Sequence, residues 1–313
     1  MELRQLETFR AVARELSFSR AAAGLGYVQS SVSSQVAALE RELGVPLFDR
    51  LRRRIALTEA GRVMLGYSER LLDLAEEAGE AVADAGVVSG EITGSLNVSA
   101  PETLLTYRLP ELLTVFHEVY PKVRVSLKPT TVGRLVGTTR RALEEGRVDV
   151  AFVLDAPSVA VEGLSTELLM EEAVSVVAPP DHALADSCPV GPSHLFGETV
   201  LLPEAPQSGC AYRARFERQL SEGGVVPRET LEFQSIEAIK RCVGAGMGVT
   251  VLPTVTVKAE LAAGALSELE WQDPIRVGTL MAWNEGRWAS PALRAFLKVA
   301  REVLSVSRAS RNE

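Results

Sequence analysis

The chain opens on a helical repeat. Leu3, Leu6, Phe9, Ala13 and Leu16 fall three or four residues apart, the spacing that lines one face of an α-helix. Ser17-Phe18-Ser19 interrupts it, and Ser19 stands where an N-cap would open a second helix, Arg20 to Leu25. Gly26-Tyr27-Val28 reads as a short turn. A third helix is predicted from about Ser30 to Leu43, with Val32, Val36, Leu39 and Leu43 as its core stripe and Gly44 as its stop. Two helices across so short a turn make a helix-turn-helix. Opposite the core stripe lie Ser30, Ser34 and Ala37, flanked by Ser31 and Ser33. Small hydroxyls approach base edges closely and hydrogen-bond to any base pair. Gln29 stands at the helix start, where recognition helices touch the groove. Taken alone, the serines read equally well as caps of a surface helix.

The next segment decides between the two. Leu51 to Leu57, LRRRIAL, is a basic hairpin-like stretch, and Thr58-Glu59-Ala60-Gly61 opens another helix. Arginines at a turn tip suit phosphate or minor-groove contact. The ordered pieces Phe18-Ser-Arg-Ala-Ala, Gln29-Ser-Ser-Val-Ser, Leu39-Glu, Leu43-Gly-Val-Pro-Leu-Phe-Asp-Arg and Leu57-Thr-Glu-Ala-Gly resemble the DNA-binding domain of the LysR-type transcriptional regulators of bacteria. Ser34 departs from the Arg that many members carry there, and Tyr27-Val28 replaces a more usual small or polar pair. Both affect which operator is read. The resemblance implies a winged helix-turn-helix over residues 1–59 that binds double-stranded promoter DNA through Ser19, Arg20, Gln29, Ser30, Ser31, Ser33, Ser34, Arg50, Arg52, Arg53 and Arg54.

From Ala60 the period changes. Ala60, Met64, Tyr67, Leu71, Leu74, Ala78, Ala81 and Ala85 alternate steps of four and three, a heptad stripe that predicts a coiled coil. A helix from Thr58 to Ala85 would span roughly 40 Å at 1.5 Å per residue. Met64, Tyr67, Leu71, Leu74 and Ala78 are its candidate dimer contacts, and Gly86-Val-Val-Ser-Gly90 reads as a hinge, giving a linker over 60–89. The family implies the same dimerising helix, with tetramers made from two dimers.

Beyond residue 90 strand-like and helix-like stretches alternate. Leu96–Ser99, Val123–Leu127 and Val148–Val153 read as strands, with helices at Tyr107–Val119 and Leu135–Glu145 between them. After about residue 163 the series repeats, with strands at Ala173–Ala178, Thr199–Leu202 and Gly248–Leu252 and helices at Ala211–Ser221 and Ser235–Gly244. Val277–Trp283 and Pro291–Leu304 return as a strand and a last helix. Alternation of this kind predicts a parallel α/β sheet. The whole is an α/β protein with an all-α front module. Its back end forms two lobes resembling a periplasmic binding protein, lobe I at about 90–162 and 268–305 and lobe II at about 163–267. Gly94-Ser-Leu, Leu143-Glu-Glu-Gly-Arg-Val-Asp-Val-Ala and Ala245-Gly-Met-Gly-Val-Thr-Val-Leu-Pro match the LysR effector domain in the same way.

Ligands of open α/β sheets sit beyond the carboxyl ends of the strands. That expectation assigns the effector pocket to Ser99, Thr103, Thr130, Thr131, Cys210, Ser235, Met247 and Gly248. Hydroxyls and helix starts point to a small anionic ligand, although each hydroxyl singly reads as a cap or turn former.

Charge sharpens the division. Residues 1–62 carry ten Arg and seven acidic residues, a net of +3, so the rest carries −11 of the total −8. A basic front on an acidic body fits a DNA-binding module fused to a sensor. No apolar run reaches the roughly 18 residues a membrane span needs, and the mixed N-terminus does not read as a leader, so a cytoplasmic protein with no membrane partner is expected. The three cysteines, Cys188, Cys210 and Cys242, form neither a disulfide frame nor a zinc motif, and His117, His182 and His194 have no partner at ligand spacing. No catalytic motif, metal site or cofactor fingerprint is found, so no enzyme is expected. Two alternatives remain: a redox regulator with Cys210 as sensor, its thiol near a helix start, and a solute-binding protein, which would lack the basic module.

Overall fold

The computed structural model describes residues 1–51, 54–86, 91–130, 135, 137–185, 189–203 and 209–306. The chain forms two compact units: Met1–Val88 with Glu145–Arg147, and Ser89–Glu144 with Val148–Glu313.

The first unit begins with α1 (Leu3–Glu15), α2 (Phe18–Leu25) and α3 (Gln29–Leu43). Leu6, Phe9, Val12 and Ala13 of α1 are buried, whereas Leu3 and Leu16 at its ends are exposed, and Leu16 turns left-handed (φ 47°) to close the helix. Ser17, not Ser19, caps α2, its hydroxyl accepting the Arg20 N–H at 3.3 Å. The cap lies two residues earlier than expected because Phe18 starts the helix and packs edge-on against Phe48 at 5.7 Å. Val32, Val36 and Leu39 of α3 are fully buried. Leu43, at the end of the same stripe, is exposed just before the left-handed Gly44 (φ 71°). Each fully buried side chain of this size contributes about 1.5–3 kcal/mol.

β1 (Phe48–Leu51) and β2 (Arg54–Leu57) pair antiparallel, Leu51 opposite Arg54, as the expected wing. Its tip, Arg52-Arg53, lies outside the described residues, as do the side-chain placements of Arg50 and Arg54. α4 (Glu59–Gly86) is the expected long helix, opened by the Thr58 hydroxyl accepting the Gly61 N–H at 2.9 Å. Gly61 is there for a close approach, since a Cβ at that position would stand 2.1 Å from the Leu47 carbonyl oxygen. Hinge residues 87–90 lie outside the described residues.

The second unit holds one mixed sheet. Its strands are β3 (Gly94–Ala100), β4 (Val123–Pro129), β5 (Val150–Asp155), β6 (Leu164–Ala178), β7 (Thr199–Pro203), β8 (Glu229–Phe233), β9 (Val249–Pro253), β10 (Ser267–Leu269) and β11 (Ile275–Asn284). They run in the order β4-β3-β5-β11-β6-β9-β7-β8, with β10 on β6. β3, β4 and β5 are parallel in lobe I, and β7, β8 and β9 are parallel in lobe II. The expected all-parallel sheet is corrected: β6 and β11 are antiparallel to each other, β11 to β5, and β6 to β9. β6 is 15 residues long and passes from one lobe to the other with β11, their register shifting between Thr279 and Leu280.

The helices are α5 (Glu102–Tyr107), α6 (Leu109–Val119), α7 (Thr138–Glu144), α8 (Ala211–Glu222), α9 (Ile236–Gly244), α10 (Thr254–Ala262) and α11 (Pro291–Val306). The helix expected at Tyr107–Val119 is α6, which starts at Leu109, and the unexpected α5 ends just before it at Tyr107; the two break at Arg108, where Pro110 in the first turn of α6 has no N–H to continue the ladder. Phe116, Phe152 and Phe296 stack edge-on at 5.0 and 6.2 Å in the core of lobe I. Phe216 of lobe II and Trp271, 5.5 Å apart, pack tilted against each other. Among the described residues no helix is long and apolar enough to cross a membrane.

Candidate functional site

The first candidate surface is the start of α3. Gln29, Ser30 and Ser34 are exposed, and Ser31 and Ser33 lie beside them on the same turn. The Ser34 hydroxyl donates to the Ser31 carbonyl at 2.9 Å, so it is turned along its own helix. Ser19 donates to Gln29 Oε1 at 2.9 Å, orienting the amide at the helix tip. Arg20 is exposed and paired with Glu15 at 3.0 Å. The Thr8 hydroxyl of α1, fully buried, lies 2.6 Å from Gln35 Oε1 of α3 and 2.9 Å from the Arg4 carbonyl, adding a polar contact to the apolar packing of α1 on α3. Sequence reasoning missed Thr8 because a lone threonine in an amphipathic helix carries no signal. It also missed Arg4, whose guanidinium lies 5.0 Å above the Tyr27 ring in the turn.

The stripe on α4 divides. Met64 and Leu71 are half-buried against the core of the helix-turn-helix, next to the buried Ser68 and Leu72. Tyr67 (53% exposed), Leu74 (55%) and Val63 face away from that core. Ala78, further along α4, is exposed as well.

The second candidate surface is a cleft between the lobes. Strand ends and helix starts form its walls: Pro101, Glu102 and Thr103 after β3, Leu154 at the end of β5, Pro203 at the end of β7, Cys210, Ala211 and Tyr212 at the start of α8, and Gln234 and Ile236 around the start of α9. Of the expected pocket residues, Thr103 and Cys210 line it. Ser235 lies between two lining residues and caps α9 through the Ala238 N–H. Ser99 is buried within β3 rather than at a helix start, since Pro101 caps α5. Thr130 donates its N–H to the Ala100 carbonyl at 3.0 Å, its hydroxyl lies 3.3 Å from that of Thr139, and neither it nor Ser99 is a wall residue. Thr131 lies outside the described residues.

Met247 and Gly248 are corrected. They precede β9 at its amino end, where a Cβ on Gly248 (φ 149°) would meet the Thr199 carbonyl oxygen at 2.1 Å. Thr199 begins β7, and five extended residues put its far end at Pro203 about 13 Å away. The glycine-rich run is therefore a packing turn at the opposite end of the sheet from the cleft.

Buried polar groups hold the walls. Arg213, on α8, donates to Glu232 at 2.7 Å and Glu217 at 2.9 Å, pinning the helix beside the end of β8. Arg108 Nε donates to Glu172 Oε1 at 2.6 Å, and Thr279 donates to the same oxygen at 3.2 Å, all three buried where β6 and β11 cross between lobes. Lys240 of α9 bonds Glu237 at 2.6 Å and Glu260 at 2.7 Å. Burial works against the Lys240 charge, but the bonds it donates to Glu237 and Glu260 outweigh that and raise its pKa. The hydrogen bond from Lys240 lowers that of Glu237. Burial raises that of Tyr107, so its hydroxyl keeps its proton. Among the described residues no group of three or more His, Cys, Asp or Glu is arranged to hold a metal ion, and Cys210 and Cys242 are in the thiol form rather than joined in a disulfide.

Two family descriptions account for nearly the whole chain: "Bacterial regulatory helix-turn-helix protein, lysR family" over residues 3–62 and "LysR substrate binding domain" over residues 89–305. An uncharacterized HTH-type transcriptional regulator of Bacillus subtilis strain 168, YwqM, is 40% identical over 303 residues, covering 97% of this chain and 99% of its own. Full-length CbnR complexed with its target DNA shares the fold at a TM-score of 0.70 and 23% identity, covering 97% of this chain and 100% of that one. A full-length OxyR variant from Pseudomonas aeruginosa shares it at 0.68 and 24%, covering 97% and 94%. The chain belongs to the LysR family of transcriptional regulators, with a helix-turn-helix module and an effector-binding domain.

Proposed function

We propose that this regulator reads promoter DNA with α3 and the β1–β2 wing, and that a small molecule held between the lobes changes how it grips that DNA. The working division is a DNA-binding module at 1–59, a linker helix and hinge at 60–89, and an effector domain at 90–313. The observation that carries the DNA reading is the start of α3: Gln29, held by Ser19, projects with exposed Ser30 and Ser34 in the module whose β1–β2 ribbon carries Arg50 and Arg54. Base contacts there specify sequence, and wing arginines supply the phosphate attraction. The protein acts as a binder rather than an enzyme, in the cytoplasm.

Selection of binding sequences from a random pool, followed by titration against salt, tests this. Replacing Arg52, Arg53 and Arg54 together with alanine is expected to weaken all sites alike. The same change should lower the salt slope by about three, one for each phosphate that an arginine neutralises. Equal slopes in the wild type and the triple variant would remove the wing from the interface.

The effector reading rests on the cleft. The starts of α8 and α9 bring backbone N–H groups to it, beside Thr103, Tyr212 and Gln234, and such groups favour an anion. Glu102 is the one charged side chain among the described wall residues, so a single carboxylate is favoured over a polyanion. A thermal-shift screen of metabolites on the full chain should find a ligand that raises Tm, and Gln234→Leu should reduce that shift by weakening the affinity about tenfold or more. A ligand that stabilises Gln234→Leu as well as the wild type binds elsewhere. OxyR shares the fold, but at 24% identity that likeness carries no redox role to Cys210. The thiol sits at the cap of α8 on the cleft wall and is read as a ligand contact.

The subunits are proposed to pair through the exposed stripe of α4, with two such dimers forming a tetramer. A ligand that binds one arrangement of the lobes more tightly would shift the assembly toward it and alter the spacing of its DNA-binding modules.

A further inference from the structure

One polar cluster outside the cleft wall joins the two lobes. Tyr107 is the last residue of α5, in lobe I. Its hydroxyl donates to Glu237 Oε1 at 3.1 Å and accepts from Lys240 Nζ at 3.4 Å. Both partners belong to α9 of lobe II, and Lys240 also donates to Glu260 Oε1 at 2.7 Å and to the Thr256 carbonyl at 3.0 Å, both on α10. Lys240 is 6% exposed and its bonds to α10 are shielded, whereas Glu237 is 56% exposed and its bond with Tyr107 lies at the surface edge of the cluster.

The placement gives the cluster its meaning. α5 begins with Glu102 and Thr103 on the cleft wall and ends at Tyr107 in the cluster. α9 follows Gln234 and begins with Ile236 on the wall, with Glu237 in the same first turn and Lys240 one turn on. The same two short helices therefore supply opposite walls and the bond between them. Lys240 keeps Glu237, Glu260 and the Thr256 carbonyl as partners if Tyr107 withdraws. Parting the lobes there strands no buried charge, which makes the contact reversible, unlike the Arg108–Glu172 pair.

We propose that Tyr107 is a positioning residue of the effector cleft, its hydroxyl tethering α5 to α9 through Glu237 and Lys240 and so setting the separation of the walls. The consequence for sensing rests on reading the cleft as the effector site; the tether itself does not. A lobe arrangement in which the tether is made and one in which it is broken would differ in cleft width, the property a bound ligand selects.

Hydrogen–deuterium exchange on the full chain without ligand tests the tether separately from the screen above. Tyr107→Phe removes one hydroxyl and keeps the ring. Exchange in residues 102–107 and 236–244 is expected to quicken about threefold, as for removal of one exposed hydrogen bond, while the urea midpoint of the second unit falls by no more than that one bond accounts for. Glu237→Gln added to Tyr107→Phe should quicken residues 102–107 no further, because both changes break the same tether there, while 236–244 also lose the Lys240–Glu237 pair of α9. Unchanged exchange in both helices, or a midpoint lowered beyond that with faster exchange throughout the unit, would overturn the proposal and leave Tyr107 a packing residue. Quickened exchange in these helices, together with a screened ligand whose affinity is the same for wild type and Tyr107→Phe, would also overturn it: the tether would exist without positioning the site, and the cleft reading would stand.

Discussion

Glu172→Ala is expected to cost the second unit about 3–5 kcal/mol, the penalty for stranding one member of a buried ion pair. Arg108 and Glu172 are both buried, bonded at 2.6 Å, and the fully buried Thr279 hydroxyl adds a third member. Alanine at 172 leaves the Arg108 guanidinium without its carboxylate between α6 and the crossing strands. For a unit of this size the penalty corresponds to a fall in Tm on the order of 10 °C, read by calorimetry or urea unfolding. The pair Arg108→Met with Glu172→Leu should recover most of that stability, since removing both charges leaves no stranded ion. If Glu172→Ala alone shifts Tm by less than about 3 °C, the pair is weaker than its burial implies. The position matters because Glu172 and Thr279 lie on β6 and β11, the strands that pass between lobes, and the buried cluster ties Arg108, between α5 and α6, to that crossing.

Leu74→Asp is expected to dissociate the dimer proposed to form through α4, without unfolding the subunit. Leu74 is 55% exposed in the single chain, so its own module is little weakened. At a paired seam each copy would forgo about 1.5–3 kcal/mol of burial and gain an unpaired charge. Together these raise the dimer dissociation constant by about a hundredfold or more. Sedimentation velocity at micromolar concentration should show a smaller species with unchanged helical circular dichroism. Persistence of the wild-type assembly would place the seam elsewhere. Leu71 is a poorer probe, because it packs against its own helix-turn-helix core and replacing it would mix folding with assembly. Such a seam would carry two wings and two α3 helices to half-sites a helical turn or a multiple of one apart.

The amino-acid sequence by itself determined what depends on local periodicity and composition. Three helices across short breaks, a basic ribbon, a long fourth helix and an alternating α/β body all follow from spacing, caps and turn residues. So does the basic front on an acidic body. What escaped was set by neighbours far along the chain. Whether Ser17 or Ser19 caps α2 turns on where Phe18 packs against Phe48. Leu43 and Leu74 are as apolar as Leu39, and only packing left them exposed. Strand direction is invisible in a hydrophobic run, because a buried strand reads the same either way, so the antiparallel β6 and β11 needed the sheet itself. The same uncertainty misplaced Met247 and Gly248: a glycine-rich turn looks alike at either end of a strand, and only the pairing of Val249 beside Val200 puts it away from the cleft. Tyr107, Lys240, Arg108 and Glu172 carry no motif. Their roles come from pairings 64 to 133 residues apart, a separation at which only the folded chain decides which charge meets which.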